Sequence, residues 1–345
     1  MLSISSCIRE EMPGSSLRIV FETGAMDTKA VGNGNVADGG GIYLSGDGTE
    51  LNPYLPDLVV LVFDTSTEAR AGIFNGLSRP YSNCTLEGTP TGTQMSVAFS
   101  SLTGNKNYTV YAFANTQGLW TMKSGGSTIE SLSELTTISQ VEALRFEPAA
   151  GDLESDGSLK VKNSRLPLSA KGTVTLTASG NGEISLALRR CVAKVTAVFE
   201  NQYGRNLTLS DFSNTFTKML PATGYVVPHE DDFPVARADA SDLTASQSEI
   251  VIANNDLDSK SWYVFPSVGP YTCDVSFNFD SDQNGTPEAY TYTHLPVHDD
   301  HARDITQLAR NQHLTITTRI GKGQRVSFYF EVADWSTKTE TVKFD

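Results

Sequence analysis

The feature that most limits what this chain can fold into is its recurrence of short apolar or alternating runs, punctuated by Gly, Asn and Asp. The runs lie at 17–21, 58–63, 95–99, 108–114, 174–178, 184–188, 192–199, 249–253, 262–265, 273–279, 289–293, 314–318 and 325–332. Each reads as a strand, and the spacing between them is that of sandwiches. Long amphipathic helices do not alternate with them, so a parallel α/β sheet does not fit. Helical spacing is confined to 131–144, where Leu132, Leu135, Ile138, Val141 and Leu144 recur at three-residue steps in a surface or bridging segment. The expected class is all-β with short helical insertions.

Length and charge narrow the organisation. At 345 residues the chain exceeds one ordinary core and suits two domains. The break is expected near residue 200, where the run ending Val198-Phe199 gives way to polar residues; this divides the chain into a tether (1–16), an N-terminal sandwich (17–200) and a C-terminal one (201–345). With 26 basic against 40 acidic side chains the formal charge is −14, which a nucleic-acid backbone or an anionic lipid surface would repel. No stretch reaches the roughly 18 apolar residues of a membrane-crossing helix, so any membrane link is expected to be covalent.

The N-terminus supplies a candidate for that link. Ile4-Ser5-Ser6-Cys7 matches a bacterial lipobox, in which the Cys thiol receives diacylglycerol. Too few residues precede Cys7 for the basic and apolar regions of an export signal, so translation is expected to begin upstream. Residues 8–16 form a short polar tether before the first strand. Several acyl chains on one cysteine suffice for stable anchoring, whereas a single chain gives marginal binding. Cys84, Cys191 and Cys273 remain, allowing at most one disulfide, and their spacing suits neither zinc nor a redox pair.

Chemistry-bearing motifs are sparse. The Gly-rich GNGNVA at 32–37 lacks the following helix of a dinucleotide site and belongs to a Gly-rich loop over 31–50. His294, His298 and His301 have metal-like spacing, but Pro296 denies them a helix, and a solvated loop is the simpler reading. Asp280, Asp282 and Asn284 copy the opening of a calcium loop, with Glu288 as a further oxygen donor; the twelfth position is Thr291, where such a loop needs a bidentate Glu. A hairpin turn is expected, leaving these three as weak metal candidates. No nucleophile, acid/base pair or phosphate loop stands out, so no cofactor and no catalysis are expected.

Several segments together resemble a known family: the start at Ser6-Cys7, LVVLVFD (58–64), LTGNKNYTVYAFANT (102–116), LPLSAKGTVTLTASGNGEISLALRRCVAKVTAVFEN (166–201) and the closing FYFEVADWSTKTETVKF. They are similar to the fimbrillin-associated anchor and minor-subunit family of Bacteroidales-type fimbriae, the type V pili. The resemblance implies two tandem transthyretin-like (Greek-key) sandwiches, lipoprotein export to the outer membrane, and joining to other fimbrial subunits by donor-strand exchange. Within it, a short tether after Cys7 favours an anchor that keeps its first strand. The alternatives are a stalk or tip adhesin, with a host or bacterial surface ligand, and a glycan-binding lipoprotein, which would need an aromatic platform from Trp120, Trp262 or Trp335. Two departures stand out: no second cysteine follows Cys7, and the arginines available for maturation, Arg70 and Arg79, have no fitting context and are expected in loops. Arg189 and Arg190 read as a strand bend with solvated guanidiniums.

Overall fold

The computed structural model describes residues 16–21, 42–45, 55–88, 95–162, 165–229, 233, 235–299, 301–322 and 325–335. Cys7, the motif at 32–37 and the tail 336–345 lie outside them. Strands dominate, and they build two sandwiches joined by a common core.

The first sandwich packs an outer sheet against a larger one. The outer sheet runs Gly182–Leu186, Ser16–Phe21, Met95–Ser100, Cys84–Glu87. The larger runs Arg189–Arg190, Leu168–Thr175, Asn107–Ala114, Leu58–Asp64, Arg70–Asn75. Alternation along Asn107–Ala114 sends Tyr108, Val110, Ala112 and Ala114 toward the outer sheet and Tyr111 and Phe113 to the other side. Both faces are covered, as the two-sided apolar pattern of YTVYAFA requires.

A third layer covers the far side of this larger sheet, which we therefore name the shared sheet. It contains Met122–Ser124, Ser127–Ile129, Leu144–Phe146 and Gly224–Tyr225, with a 3-10 turn at Leu132–Glu134 and an α-helix at Ile138–Glu142. Capping boxes start both helical pieces: Ser131 with Glu134, and Thr137 with Gln140. Leu132, Leu135, Val141 and Leu144 are buried, so the helical segment roofs a core instead of lying on the surface. Tyr111 Oη donates to the Glu142 carboxylate, and Lys171 Nζ lies 2.7 Å from the same group, tying roof to sheet.

The second sandwich pairs the sheet Leu257–Val264, Ala193–Gln202, Gln312–Gly321, Arg325–Asp334 with the sheet Ser241–Ile252, Leu207–Leu220, Thr272–Phe279, Glu288–Pro296. Sheet membership changes between Arg190 and Ala193. Phe265, Trp335 and Val226 join the core beneath the third layer, so the two sandwiches share apolar contact.

Two expectations need correction. Arg190 is not solvated: it is 3% exposed, donates to Asn311 Oδ1 (3.0 Å) and the Trp335 carbonyl (3.1 Å), and stacks 4.1 Å from the Trp335 ring. Only two residues long, its strand turns Arg189 outward and therefore Arg190 inward. Arg70 is not in a loop: it opens an edge strand, and its guanidinium donates to the carbonyls of Ser133 (2.6 Å) and Leu135 (2.7 Å). Arg79 lies in an exposed bend before Pro80.

Candidate strand-exchange site

A strand can be exchanged where it is held between neighbours without being covalently needed, or where a sheet edge leaves backbone groups and core side chains uncovered. Among the described residues, two places stand out by these conditions.

The first is the opening strand, Ser16–Phe21. It pairs in parallel with Gly182–Leu186 and antiparallel with Met95–Ser100, and it buries Leu17, Ile19 and Phe21 in the first core. Ser16 N donates to Asn181 Oδ1 at 3.2 Å, and Arg18 pairs with Glu183 (3.1 Å) on the adjacent strand and reaches across Met95–Ser100 to Glu87 (2.9 Å) on the next one. Removing this strand would empty three side-chain pockets and unpair both neighbours. In the intact chain the groove is filled.

The second is a seam of the second sandwich, best understood against the opposite seam. Along the opposite one, Ser241–Ile252 and Leu257–Val264 are joined by a short turn at 253–256. Asn201, fully buried, holds that turn by donating through Nδ2 to Ile252 O (3.1 Å) and Ala253 O (2.9 Å). The loop of the third layer then covers the edge: Leu159 N donates to Tyr263 O at 2.9 Å and Trp262 Nε1 to Asp156 Oδ2 at 2.8 Å. That seam is closed.

The seam between Glu288–Pro296 and Arg325–Asp334 is not. Among the described residues neither strand has a partner on its outer edge. Tyr290, Tyr292 and Leu295 on one lip, and Val326, Phe328 and Val332 on the other, pack against the core yet stay partly exposed. The lips touch through Tyr292 and Phe328, edge to face at 5.1 Å. Pro296 and a register irregularity opposite Cys273 blunt one lip, and Arg325, Glu331 and Asp334 place charge on the other. Such features discourage indiscriminate edge pairing.

The hairpin feeding this seam carries the calcium-like residues. Carboxylate oxygens of Asp280, Asp282 and Glu288 lie within 4.8 Å of one another. Asn284 does not complete a ligand set: its main-chain N donates to Asp280 Oδ1 and Asp282 Oδ1 (both 3.1 Å), and its Nδ2 to Asp282 Oδ2 at 3.0 Å. Ser281 N likewise donates to Glu288 Oε2 at 2.9 Å. These bonds are those of a turn. The histidines of the neighbouring loop are not gathered: His298 packs 5.4 Å from Phe330, while His294 and His301 are exposed.

Cys84, Cys191 and Cys273 are buried free thiols in three different cores, so no pair of them can bridge without unfolding. Trp120, Trp262 and Trp335 are buried as well and offer no aromatic platform. Sequence reasoning named none of the seam residues as a site, because Tyr290 and Tyr292 alternate as they would in any half-buried strand.

No family model matches the sequence, and no curated relative matches it either. Solved structures do match over nearly the whole chain. A candidate cell adhesion protein from Bacteroides eggerthii superposes with a TM-score of 0.52 at 13% identity, covering 94% of this chain and 97% of its own. The two share one fold, tandem β-sandwiches. A candidate adhesin from Bacteroides thetaiotaomicron matches at a TM-score of 0.45 and 12% identity, covering 94% of this chain and 96% of its own. The fimbrial anchor protein Mfa2 from Porphyromonas gingivalis matches at 0.34 and 10% identity, covering 94% and 98%. Only the first similarity is close enough to bear on the fold, and at its identity it bears on nothing further.

Proposed function

We propose that this chain is a non-catalytic surface subunit of a Bacteroidales-type fimbria, tethered to the outer membrane through lipid on Cys7 and joined to the next subunit by an added strand. The open seam between Glu288–Pro296 and Arg325–Asp334 carries this reading. A donated strand there would satisfy a row of edge N–H and C=O groups and cover the half-exposed Tyr290, Tyr292, Phe328 and Val332. The opening strand, clamped by Arg18 and buried through Ile19, supports an anchor that retains its first strand over a stalk subunit that loses it. The two sandwiches would then divide the labour: the first beside the lipid tether, the second toward the next subunit.

The seam is tested by Tyr292→Lys and Val332→Lys, which put charge where the added strand would pack. Both positions are partly exposed, so the subunit folds, and its capture into fimbriae is expected to fall at least about tenfold, the equivalent of about 1.4 kcal/mol. Undiminished capture by both variants removes the seam as the joint. The tether is tested separately by Cys7→Ala with its upstream signal restored. Fimbriae shed into the medium or abnormally long support the anchor role; unchanged retention, with the protein itself lost from the membrane, moves a tip or glycan-binding role ahead.

A further inference from the structure

Away from the seam, a cleft of about 420 Å³ opens between the two sandwiches. Its volume falls inside the roughly 300–1,000 Å³ range of small-ligand sites. One wall belongs to the first sandwich and carries Lys171, Ser185 and Arg189; the other belongs to the second and carries Gln312 and Asp334, side by side across two paired strands. Arg310 lies at the base, 8% exposed, donating to Ser169 Oγ (3.0 Å) and the Tyr225 carbonyl (3.1 Å), and so locks the two walls together.

The charges in this cleft are arranged unusually for a chain of formal charge −14. Three of its lining side chains are cationic and one is anionic. Lys171 is engaged by Glu142 at 2.7 Å. Arg189 and Asp334 are both exposed, and among the described residues they form an ion pair neither with each other nor with any other group. Two opposite charges facing one cleft from opposite walls, each left to solvent, suit a guest that is acidic at one end and hydroxylated at the other. A guanidinium presents paired N–H donors that match a carboxylate. A carboxylate such as that of Asp334 accepts from two adjacent hydroxyls, and the Gln312 amide and Ser185 hydroxyl add donors of the kind that fix a sugar's orientation. Between them the lining includes alanine, leucine and proline.

We infer that this cleft binds an acidic sugar, a hexuronate unit, with its carboxylate on Arg189 and its hydroxyls on Asp334, Gln312 and Ser185. The site rests on Arg189 of the first sandwich, whereas the seam lies wholly in the second, and it would give a fimbrial subunit a ligand of its own.

Digalacturonate and its neutral counterpart digalactose, each titrated into the full chain by calorimetry and saturation-transfer NMR, test the assignment. The charged sugar is expected to bind at least about tenfold more tightly than the neutral one, with Arg189→Ala removing that preference and Asp334→Asn weakening both sugars. Equal affinity for the two sugars, no binding of either, or indifference to Arg189→Ala overturns it. Both residues are exposed, so an unfolded variant is not expected; unchanged thermal melting confirms that. Fimbrial capture of Arg189→Ala, a residue outside the seam strands, is expected to be normal, which separates failure of this site from failure of the seam.

Discussion

The strands Leu58–Asp64 and Glu288–Pro296 are of comparable length, yet every residue of the first is buried and none of the second is. Composition alone does not explain this, since the second carries two tyrosines and a leucine. Position does. Leu58–Asp64 lies inside the shared sheet, which meets the outer sheet on one face and the roof of helical turns and short strands on the other. Glu288–Pro296 ends a sheet that, among the described residues, has no roof, and its aromatic side chains reach the core from the rim. The first region is covered on both faces, the second is left partly open along its rim.

The sharpest test of that contrast is a matched pair of truncations. Phe113→Ala removes a ring from a fully covered position and is expected to cost about 3–5 kcal/mol in urea unfolding. Phe328→Ala removes the same ring from the open lip, where much of its surface already meets water, and is expected to cost no more than about 1–1.5 kcal/mol. Comparable losses would mean that the seam is closed in solution, and the distinction between the two regions would fall.

A second difference is electrostatic. At the start of Leu58–Asp64, inside the shared sheet, Asp57 is buried, 1% exposed, with Oδ2 only 3.5 Å from Arg165 Nη1 and, among the described residues, no partner on Oδ1. Burial pushes its carboxyl up from 3.8 to about 6, against the opposing pull of Arg165. The folded state therefore prefers the protonated acid more than the unfolded chain does. The resulting stabilisation is fully present below about pH 4 and is lost as pH rises through about 6, a change of roughly 3 kcal/mol at most for a shift of this size. Unfolding free energies measured from pH 4 to 7 should decline with pH in the wild type and be flatter by this amount in Asp57→Asn. An identical slope in the variant would show that Asp57 is solvated or firmly paired. A rim acid of the second sandwich offers the contrast: Asp299, half-buried and held by Arg303 at 2.6 Å, is pulled down to about 2 and has no role in that pH window.

How much of this was legible beforehand follows from what each strand's pattern reports. The strand Asn107–Ala114 was readable to within one residue, because two-sided burial leaves apolar groups on both of its faces. The longest strand, Leu207–Leu220, was not recognised as one run. Asp211 and Lys218 adopt positive φ (49° and 56°), and the resulting irregularities break the period-two pattern on which strand reading depends. The inward turn of Arg190 was hidden because its partners, Asn311 and Trp335, are more than a hundred residues away in sequence. The seam was invisible for a related reason: whether a half-apolar strand is covered depends on what lies beside it, and sequence alternation reports only which way its side chains point.

The smallest expected effect concerns the hairpin that leads into the open lip. Asp280, Asp282 and Glu288 are close enough to share an ion, yet their oxygens already accept main-chain N–H groups from Ser281, Asn284 and Gly285. The Asn284 amide meets Asp282 as a donor, the wrong polarity for a metal ligand. A cation would have to displace these bonds and still lack the bidentate Glu of a calcium loop. A site with a Kd of about 10 mM adds only about 0.2–0.3 kcal/mol at about 5 mM calcium, so the melting temperature should move by under about 1 °C. A rise of several degrees that disappears in Asp282→Asn would make the lip metal-locked. The seam would then be a rigid edge under ionic control, and its difference from the shared sheet would be one of strand pairing alone.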